Sequence, residues 1–162
     1  MAIRTIREIG DSVLTKACKP VTKMTDRTRE LIHDMLDTMY EAGGVGLAAP
    51  QVGVLKRILV IDIGEGPIVL LNPQIIETEG EQCGEEGCLS VPGKTGTVTR
   101  PMYVKVRGQN EELEEIELEG EGLLARAFCH EIDHLEGRIY VDLVEGELRN
   151  VEYQEEEEEE EL

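Results

Sequence analysis

Aromatic residues are scarce in this chain, whose 162 residues include one Phe, four Tyr and no Trp. A hydrophobic core must therefore be built from Val, Ile, Leu and Met, and a 40% share of hydrophobic residues is enough for one compact domain. No apolar run approaches the roughly 20 residues that a membrane helix requires. Residues 1–6 mix apolar and polar side chains and do not form a targeting pattern. The sequence thus predicts a soluble, intracellular protein.

Basic residues are also few, since 16 Lys and Arg stand against 35 Asp and Glu and give a formal net charge of −19. Seven consecutive glutamates occupy positions 155–161, and removing them changes the net charge from −19 to −12, so the rest of the chain is acidic as well. Because like charges repel, we expect a domain over residues 1–146 followed by a flexible acidic tail over residues 147–162. The negative charge also opposes unspecific binding to nucleic acid.

Histidine is rare too, and two of the three histidines fall in one segment, His130-Glu131-Ile132-Asp133-His134. On a helix, residues four apart lie on one face, so both rings can reach one divalent cation. The carboxylate between them stands beside the open position of the metal, where it can take a proton from attacking water. A His pair at this spacing also occurs by accident, but the apolar flanks predict a helix over residues 121–135. The pattern is typical of metal-dependent hydrolases.

Two histidines are too few for a catalytic metal, which usually has three protein ligands. His33 has no second candidate ligand near it in the sequence, and we interpret it as a surface residue. Cys88 lies in a segment bracketed by glycines and a proline, which can present a thiolate to a helix. We expect the remaining cysteines to be free thiols, because a catalytic thiolate favours a reducing cytosol over two disulfides. These are Cys18, Cys83 and Cys129.

The remaining pattern predicts an α+β fold. A helix over residues 25–40 has Thr25 as its N-cap, and strands are predicted over residues 57–63, 68–72, 98–106 and 115–118. Short strands without intervening helices favour antiparallel sheets, packed here around a central metal-binding helix. Gly44-Val45-Gly46 has a competing interpretation as a phosphate-binding loop. Such a loop follows a strand, however, whereas these glycines follow a helical pattern, and we expect them to end that helix.

Three separated segments resemble the peptide deformylase family: Gly44-Val45-Gly46-Leu47-Ala48-Ala49-Pro50-Gln51, Glu86-Gly87-Cys88-Leu89-Ser90 and His130-Glu131-Ile132-Asp133-His134. Together and in this order they are highly specific, and the resemblance extends from the N-terminus to about Val144. Enzymes of that family remove the formyl group from the N-terminal methionine of new bacterial or organellar polypeptides. The resemblance therefore implies a cytoplasmic enzyme of bacterial type.

The resemblance also implies a role for particular residues. It assigns the metal to Cys88, His130 and His134. Metal-bound water would attack the formyl carbonyl, with Glu131 as general acid and base. Two donors would stabilise the oxyanion: the side chain of Gln51 and the backbone N–H of Leu89.

The same resemblance assigns the substrate contacts. Val45, Gly46 and Gly87 would border the peptide. Leu123 and Ala127 would line the pocket for the methionine side chain. It further implies that Arg100 and Asp133 pair with each other and support the metal-binding helix.

One thiolate and two imidazoles suit Fe²⁺, Zn²⁺, Ni²⁺ or Co²⁺, and the resemblance favours Fe²⁺. The expected partner is a nascent formyl-methionyl polypeptide, without a membrane or direct nucleic-acid contact. Some deformylases are thought to dock on the ribosome through a basic C-terminal extension, and the acidic tail argues against that mode here.

Two other classes remain open at this stage. A metallopeptidase would take a third ligand downstream of the motif, where only Glu136, Glu145 and Glu147 are candidates. A zinc-stabilised interaction module would need a fourth protein ligand. Cys129 is the nearby candidate for that role, and its place on the helix does not suit it.

Overall fold

A computed structural model describes residues 2–151 of the chain. Within that range there are two α-helices, α1 (Asp26–Glu41) and α2 (Leu123–Leu135). The strands are β1 (Gly46–Ala48), β2 (Ile58–Ile61), β3 (Ile68–Glu79), β4 (Gln82–Cys88), β5 (Val91–Arg100), β6 (Tyr103–Gln109), β7 (Glu115–Glu121) and β8 (Glu145–Asn150). Three short 3₁₀ helices lie at Ser12–Thr15, Ala49–Val52 and Tyr140–Leu143.

The strands form two sheets, one with the order β1-β2-β3-β6-β7 and one with the order β4-β5-β8. Every pairing between these strands is antiparallel. This arrangement confirms the predicted α+β fold with antiparallel sheets.

Helix α1 begins as its sequence predicts. The Thr25 side chain accepts a hydrogen bond from the backbone N–H of Thr28 and so satisfies one of the free donors of the first turn. At the other end the N–H of Gly44 donates to the carbonyl of Met39 at 3.0 Å, and Gly43 has a φ of +69°. The glycines therefore end the helix, as expected, and lead directly into β1.

Helix α2 lies against the five-stranded sheet. Phe128, the single phenylalanine, is fully buried among aliphatic residues that include Leu59, Leu70 and Val104. The opposite side of this helix carries the two motif histidines, which are also buried. The core is thus mainly aliphatic, and α2 is held in it from both sides.

Some elements differ from those predicted. The segment 98–106 forms two strands instead of one, because Pro101 has no N–H to donate to a ladder and the chain turns there. The sequence predicts a loop where β4 lies, because the glycines and glutamates of this segment have low strand propensity. Strands β1 and β8 were not predicted either.

Strand β8 crosses the expected domain boundary at residue 146. Residues 149 and 150 pair with Thr95 and Lys94 of β5, so this part of the supposed tail belongs to the sheet. The rest of the tail, residues 152–162, lies outside the described residues. No helix within residues 2–151 is long and apolar enough to cross a membrane.

Candidate active site

Helix α2 and the end of β4 bring three potential metal ligands together. His130 and His134 project from one face of the helix, and Cys88 is the last residue of the strand. The Nε2 atom of His134 lies 3.2 Å from the Sγ atom of Cys88. The ligand atoms of all three residues lie within 4.8 Å of one another. Within residues 2–151 this is the one group of three or more such side chains with this spacing.

The carboxylate of Glu86 orients the first histidine. Its Oε1 atom lies 2.5 Å from Nδ1 of His130, which leaves Nε2 of that ring available to a cation. Arg100 donates two hydrogen bonds to Glu86, and Arg126 donates a third at 2.8 Å. Burial disfavours the charged form of Glu86, but the hydrogen bonds from His130 and Arg100 outweigh it and lower its pKa to about 2. Glu86 therefore remains an anion.

The predicted contact between Arg100 and Asp133 is present. Nη1 of Arg100 donates to Oδ2 of Asp133 at 2.7 Å, and the arginine side chain is only 6% exposed. A single guanidinium thus joins β5 to β4, through Glu86, and to helix α2, through Asp133. The two ligand-bearing elements are fixed relative to each other by this bridge.

The two histidines have different electrostatic surroundings. Burial and the neighbouring ring of His130 hold the pKa of His134 well below its usual value, so this ring is neutral, as a metal ligand must be. Burial also disfavours the charged form of His130. In that case Glu131, Cys88 and Glu86 outweigh burial and raise its pKa well above 6.5.

Glu131 lies beside the ligand atoms and is 4% exposed. Its Oε1 atom has no hydrogen-bond partner among the described residues, and its Oε2 atom lies 4.0 Å from Nε2 of His130. A Cβ atom at Gly46 would come within 2.5 Å of Oε2, so β1 can pass this close only with a glycine. Burial raises the pKa of Glu131 to about 7, although His130 opposes the rise.

Gln51 is 1% exposed, and its amide is held in one orientation. Its Oε1 atom accepts a hydrogen bond from the N–H of Ala48 at 2.9 Å, so its NH₂ group must point the other way. Nε2 donates to Oγ of Ser90 at 3.0 Å and lies 3.5 Å from Sγ of Cys88. The amide hydrogens are thereby aimed at the ligand cluster. Leu89 stands between Cys88 and Ser90 and is half-buried.

A cavity of about 440 Å³ opens beside this cluster. All five residues that were predicted to contact substrate line it, namely Val45, Gly46, Gly87, Leu123 and Ala127. Gln51, Cys88, Leu89, His130 and Glu131 line it as well. His134 lies behind them and is fully buried. The structure thus brings every predicted site residue to one place.

Three residues of this site were not predicted: Glu86, Arg126 and Ser90. Arg126 lies four residues before His130, so helical spacing alone puts it on the same face of α2 as the motif histidines. Glu86 lies two residues before Cys88, which gives the two side chains the same face of an extended strand. Both signals were in the sequence, but the segment around Glu86 was interpreted as a loop.

The other thiols and the third histidine lie elsewhere. Cys18 and Cys129 are buried in the core cluster around α2, where burial raises the pKa of each to about 11. Cys83 and His33 are exposed. The four cysteines form no disulfide, as expected.

The arrangement of these residues does not favour a metallopeptidase or a zinc-stabilised interaction module. The candidate ligands of a metallopeptidase, Glu136, Glu145 and Glu147, are exposed and do not belong to the ligand cluster. Cys129, the candidate fourth ligand of a closed zinc site, does not belong to it either. Three ligands beside a cavity, with a buried carboxylate next to them, fit an open catalytic metal site instead.

Comparison with known proteins gives a consistent result. A family model described as polypeptide deformylase matches residues 3–150. The chain belongs to this family. A peptide deformylase of Agathobacter rectalis is 65% identical over 154 residues, which cover 95% of this chain and 98% of that protein. Another, from Lachnoclostridium phytofermentans, is 61% identical and covers 99% of this chain and 100% of that protein.

Solved structures agree with the sequence comparison. The peptide deformylase of Legionella pneumophila has a TM-score of 0.86 at 47% identity, with 88% of this chain and 86% of that chain covered. The peptide deformylase of Thermotoga maritima has a TM-score of 0.87 at 44% identity, with 89% and 99% covered.

Peptide deformylases are metal-dependent amide hydrolases that take the formyl group from the N-terminal formylmethionine of newly made polypeptides, and this chain is one of them. They use a divalent metal ion. The donor set described above, with one thiolate sulfur and two imidazole nitrogens, suits such an ion.

Proposed function

We propose that Cys88, His130 and His134 hold the divalent metal, and that Glu131 is the general acid and base of deformylation. The observation that carries this proposal is the position of Glu131, which is buried beside the three ligand atoms with one oxygen free of any partner among residues 2–151. When bound, a divalent cation polarises the formyl oxygen and makes water a stronger acid. A thiolate and two neutral imidazoles leave it with a single net positive charge, which preserves that capacity.

Glu131 accepts a proton from the water that attacks the formyl carbon. Burial raises the pKa of the Glu131 carboxyl, and this makes the carboxylate a stronger proton acceptor than an exposed one. The carboxyl then delivers this proton to the methionine nitrogen as the C–N bond breaks. The products are the free amine and formic acid, which releases the second proton of the water and leaves as formate. Gly46 leaves the space that the carboxyl needs for both steps.

Two donors stabilise the negative charge that develops on the formyl oxygen. One is Nε2 of Gln51, whose direction is fixed by Ala48 and Ser90. The other is the backbone N–H of Leu89, the residue after the ligand Cys88. Each such donor is typically worth about 2.7–4 kcal/mol in related hydrolases, because it is already in place when the charge appears.

The methionine side chain enters the apolar part of the cavity. Leu123 is 52% exposed and Val45 is 44% exposed, so both present apolar surface that a substrate can cover. The small side chain of Ala127 leaves room in the pocket between Leu123 and Val45. The ring of His130 closes the pocket on the side of the metal. Gly46 and Gly87 let the peptide backbone approach closely.

Fe²⁺ is the proposed native ion, and Zn²⁺, Ni²⁺ or Co²⁺ are accepted by the same ligands. The substrate is the nascent formyl-methionyl chain, which places the activity in the cytoplasm. A net charge of −19 opposes docking on ribosomal RNA, so we propose that the enzyme meets its substrate without such an anchor.

The proposal is tested by measuring formate release from a formyl-Met peptide, with the metal content determined in the same sample. Replacing Glu131 by Gln keeps the shape of the side chain but removes its ability to accept a proton. We expect Glu131→Gln to fold and retain metal while kcat falls by roughly 10²- to 10⁴-fold. Wild-type turnover by the metal-loaded variant would reject the assignment.

A further inference from the structure

The first residues of the chain donate two backbone hydrogen bonds to the candidate active site. The N–H of Arg7 donates to the carbonyl of Gln51 at 2.7 Å, and the N–H of Ile9 donates to the carbonyl of Ser90 at 2.8 Å. Gln51 and Ser90 lie 39 positions apart in the sequence and also contact each other through their side chains. One short stretch of main chain therefore holds both of them.

The two carbonyls lie where their own elements offer few donors. Gln51 belongs to the 3₁₀ helix Ala49–Val52, and the last carbonyls of so short a helix have few partners within it. Ser90 is the second residue of the two-residue turn between β4 and β5, where the ladder between these strands has ended. The N-terminal residues supply the donors that these carbonyls need.

Core packing does not account for the order of this N-terminal stretch. None of residues 2–10 is buried, and the side chain of Ile9 is 50% exposed. The stretch is instead anchored on helix α1, where Oγ1 of the buried Thr38 accepts a hydrogen bond from the N–H of Arg4 at 2.9 Å. Hydrogen bonds thus fix it at one end on α1 and at the other end on the candidate active site.

Ser90 links this stretch to both proposed oxyanion donors. Its Oγ atom accepts the hydrogen bond from Nε2 of Gln51 at 3.0 Å, and it directly follows Leu89, whose N–H is the second donor. Holding the carbonyl of Ser90 therefore fixes the direction of the Gln51 amide and the turn that carries the Leu89 N–H. Such donors are effective because they are in place before the charge develops, so a displacement of either one slows the reaction.

We propose that residues 2–10 form an N-terminal clamp that holds the two oxyanion donors, Gln51 and Leu89, in position. The clamp acts through the N–H of Ile9 and the carbonyl of Ser90. None of its residues lines the cavity, so it does not contact the substrate. This inference rests on the proposed function, because that function gives the two donors their role.

Ile9→Pro removes the N–H that the clamp uses and suits the local backbone. The N–H of Asp11 donates to the carbonyl of Glu8 at 3.0 Å, and Gly10 has a φ of +103°, as in the third position of a type II turn. Ile9 occupies the second position of that turn, where proline is favoured. Ile9→Ala is the matched control, because it removes the exposed side chain but keeps the N–H.

Formate release from formyl-Met-Ala-Ser is measured for the metal-loaded proteins, with metal content determined in the same samples. We expect kcat of Ile9→Pro to fall by roughly 10- to 100-fold. KM and metal content should not change, because the donors act on charge that appears only in the transition state. Ile9→Ala should have the kcat of the wild type. In a Gln51→Met background, Ile9→Pro should lower kcat by a smaller factor, because one of the two donors is already absent.

The clamp is overturned if Ile9→Pro keeps the wild-type kcat, if Ile9→Ala loses as much, or if Ile9→Pro has its full effect in the Gln51→Met background. The last result would mean that the N–H supports the fold in general and not the donors. If Ile9→Pro does not fold, replacing the amide at position 9 by an ester removes the same N–H and keeps the side chain. The same fall in kcat is then expected.

Failure of the proposed function gives a different result. Wild-type kcat in Gln51→Met alone would show that the Gln51 amide does not stabilise the oxyanion. Hydrogen exchange then tests the clamp separately. The backbone N–H groups of residues 88–91 should exchange faster in Ile9→Pro than in wild type and in Ile9→Ala. Equal exchange in the three proteins would overturn the clamp.

Discussion

Cys88 differs from the other three cysteines in its surroundings. Its Sγ atom lies near Nε2 of His134, and it accepts a hydrogen bond from the N–H of Ser90 at 3.4 Å. Cys18 and Cys129 instead lie in the apolar core, where burial raises their pKa to about 11 and keeps them protonated. A thiolate is the form that binds metal. The position of the residue, rather than its type, therefore determines which cysteine can be a ligand.

Cys88→Ser should remove most of the metal, because a hydroxyl is a harder and weaker ligand than a thiolate. Changing a residue that only supports a metal ligand typically lowers metal affinity by roughly 10- to 100-fold. We expect Cys88→Ser, which changes the ligand itself, to lower metal affinity by more than that. Metal content after dialysis against a weak chelator measures this. Cys83→Ser, Cys18→Ser and Cys129→Ser are the controls and should retain metal. Loss of metal from Cys129→Ser, with retention in Cys88→Ser, would contradict the ligand set.

The proposed metal ligands and the proposed base could be named from the sequence because they lie in short, specific segments. Glu86 was missed because its segment was interpreted as a loop, although its side chain contacts His130, Arg100 and Arg126. Its role depends on three elements that meet only in the folded chain. Ser90 is a similar case, since its contact with Gln51 joins residues 39 positions apart. The spacing of residues in the sequence reveals side chains that meet within one helix or strand. It does not reveal side chains that meet across different helices and strands.

At the level of helices and strands, the bridge through Arg100 holds α2 against β4 and β5. The guanidinium is shared between the buried Glu86 and the partly buried Asp133, with N–O distances of 2.6 Å and 2.7 Å in the ion pairs. A buried charge that loses its partner is expensive, typically by about 3–5 kcal/mol. The bridge therefore makes the position of helix α2 depend on intact charge pairs.

Arg100→Ala should lower the free energy of unfolding by about 3–5 kcal/mol, because it leaves the Glu86 carboxylate without its bidentate partner. Asp133→Asn should lower the free energy of unfolding by less, because the carboxylate of Asp133 is partly exposed. The double variant should be less destabilised than the sum of the two, as expected for residues in contact. Urea unfolding of the four proteins at constant metal concentration measures the coupling. Additive losses would show that the pair does not act as a unit.

A second buried carboxylate, Asp34 of α1, fixes the N-terminal segment. It accepts hydrogen bonds from the N–H of Ala2 at 2.8 Å and from Nε of Arg4 at 2.9 Å. Burial opposes its charge, but these two donors outweigh burial and lower its pKa below the usual value of 3.8. Because the folded pKa is the lower one, the contribution to stability is present above the unfolded value and is lost as pH falls through the folded value.

Asp34→Asn should therefore reduce the free energy of unfolding at pH 6, by about 1–3 kcal/mol for hydrogen bonds to a charged group. The difference from wild type should shrink below about pH 4. Denaturant unfolding of chelator-treated protein between these pH values measures it. Asp37→Asn, which removes a carboxylate from the same helix, is the control. If the difference in free energy of unfolding between Asp34→Asn and wild type grows towards acid pH, the pKa of Asp34 is not lowered in the folded protein.

The regular elements could be predicted where periodicity was strong, as in α1, α2 and β2. Prediction failed for β4 and β8, because a glycine- and glutamate-rich strand is stabilised by its neighbours in the sheet and not by its own propensity. Strand β8 has no buried residue that could mark it in the sequence. Its place in the fold comes from backbone pairing with β5.

For the whole molecule, the excess of acidic residues sets the electrostatic behaviour. The formal charge is −19, and seven of these charges lie in the run of glutamates at positions 155–161. Repulsion among like charges opposes the compact state, and salt weakens it. The Debye length falls from roughly 30 Å at 0.01 M salt to roughly 3 Å at 1 M. Stability should therefore increase with ionic strength rather than decrease.

We expect the melting temperature of the metal-saturated protein to rise between about 0.01 M and 1 M NaCl. A gain of about 1 kcal/mol corresponds to a rise of roughly 2–4 °C for a chain of this size. Replacing glutamates 155–161 by glutamine changes the net charge from −19 to −12 and should make the rise smaller. Sodium chloride is the appropriate salt, because sulfate stabilises proteins by exclusion from their surface as well. A melting temperature that falls with NaCl, or that rises equally in the variant, would show that repulsion from the glutamate run does not limit stability.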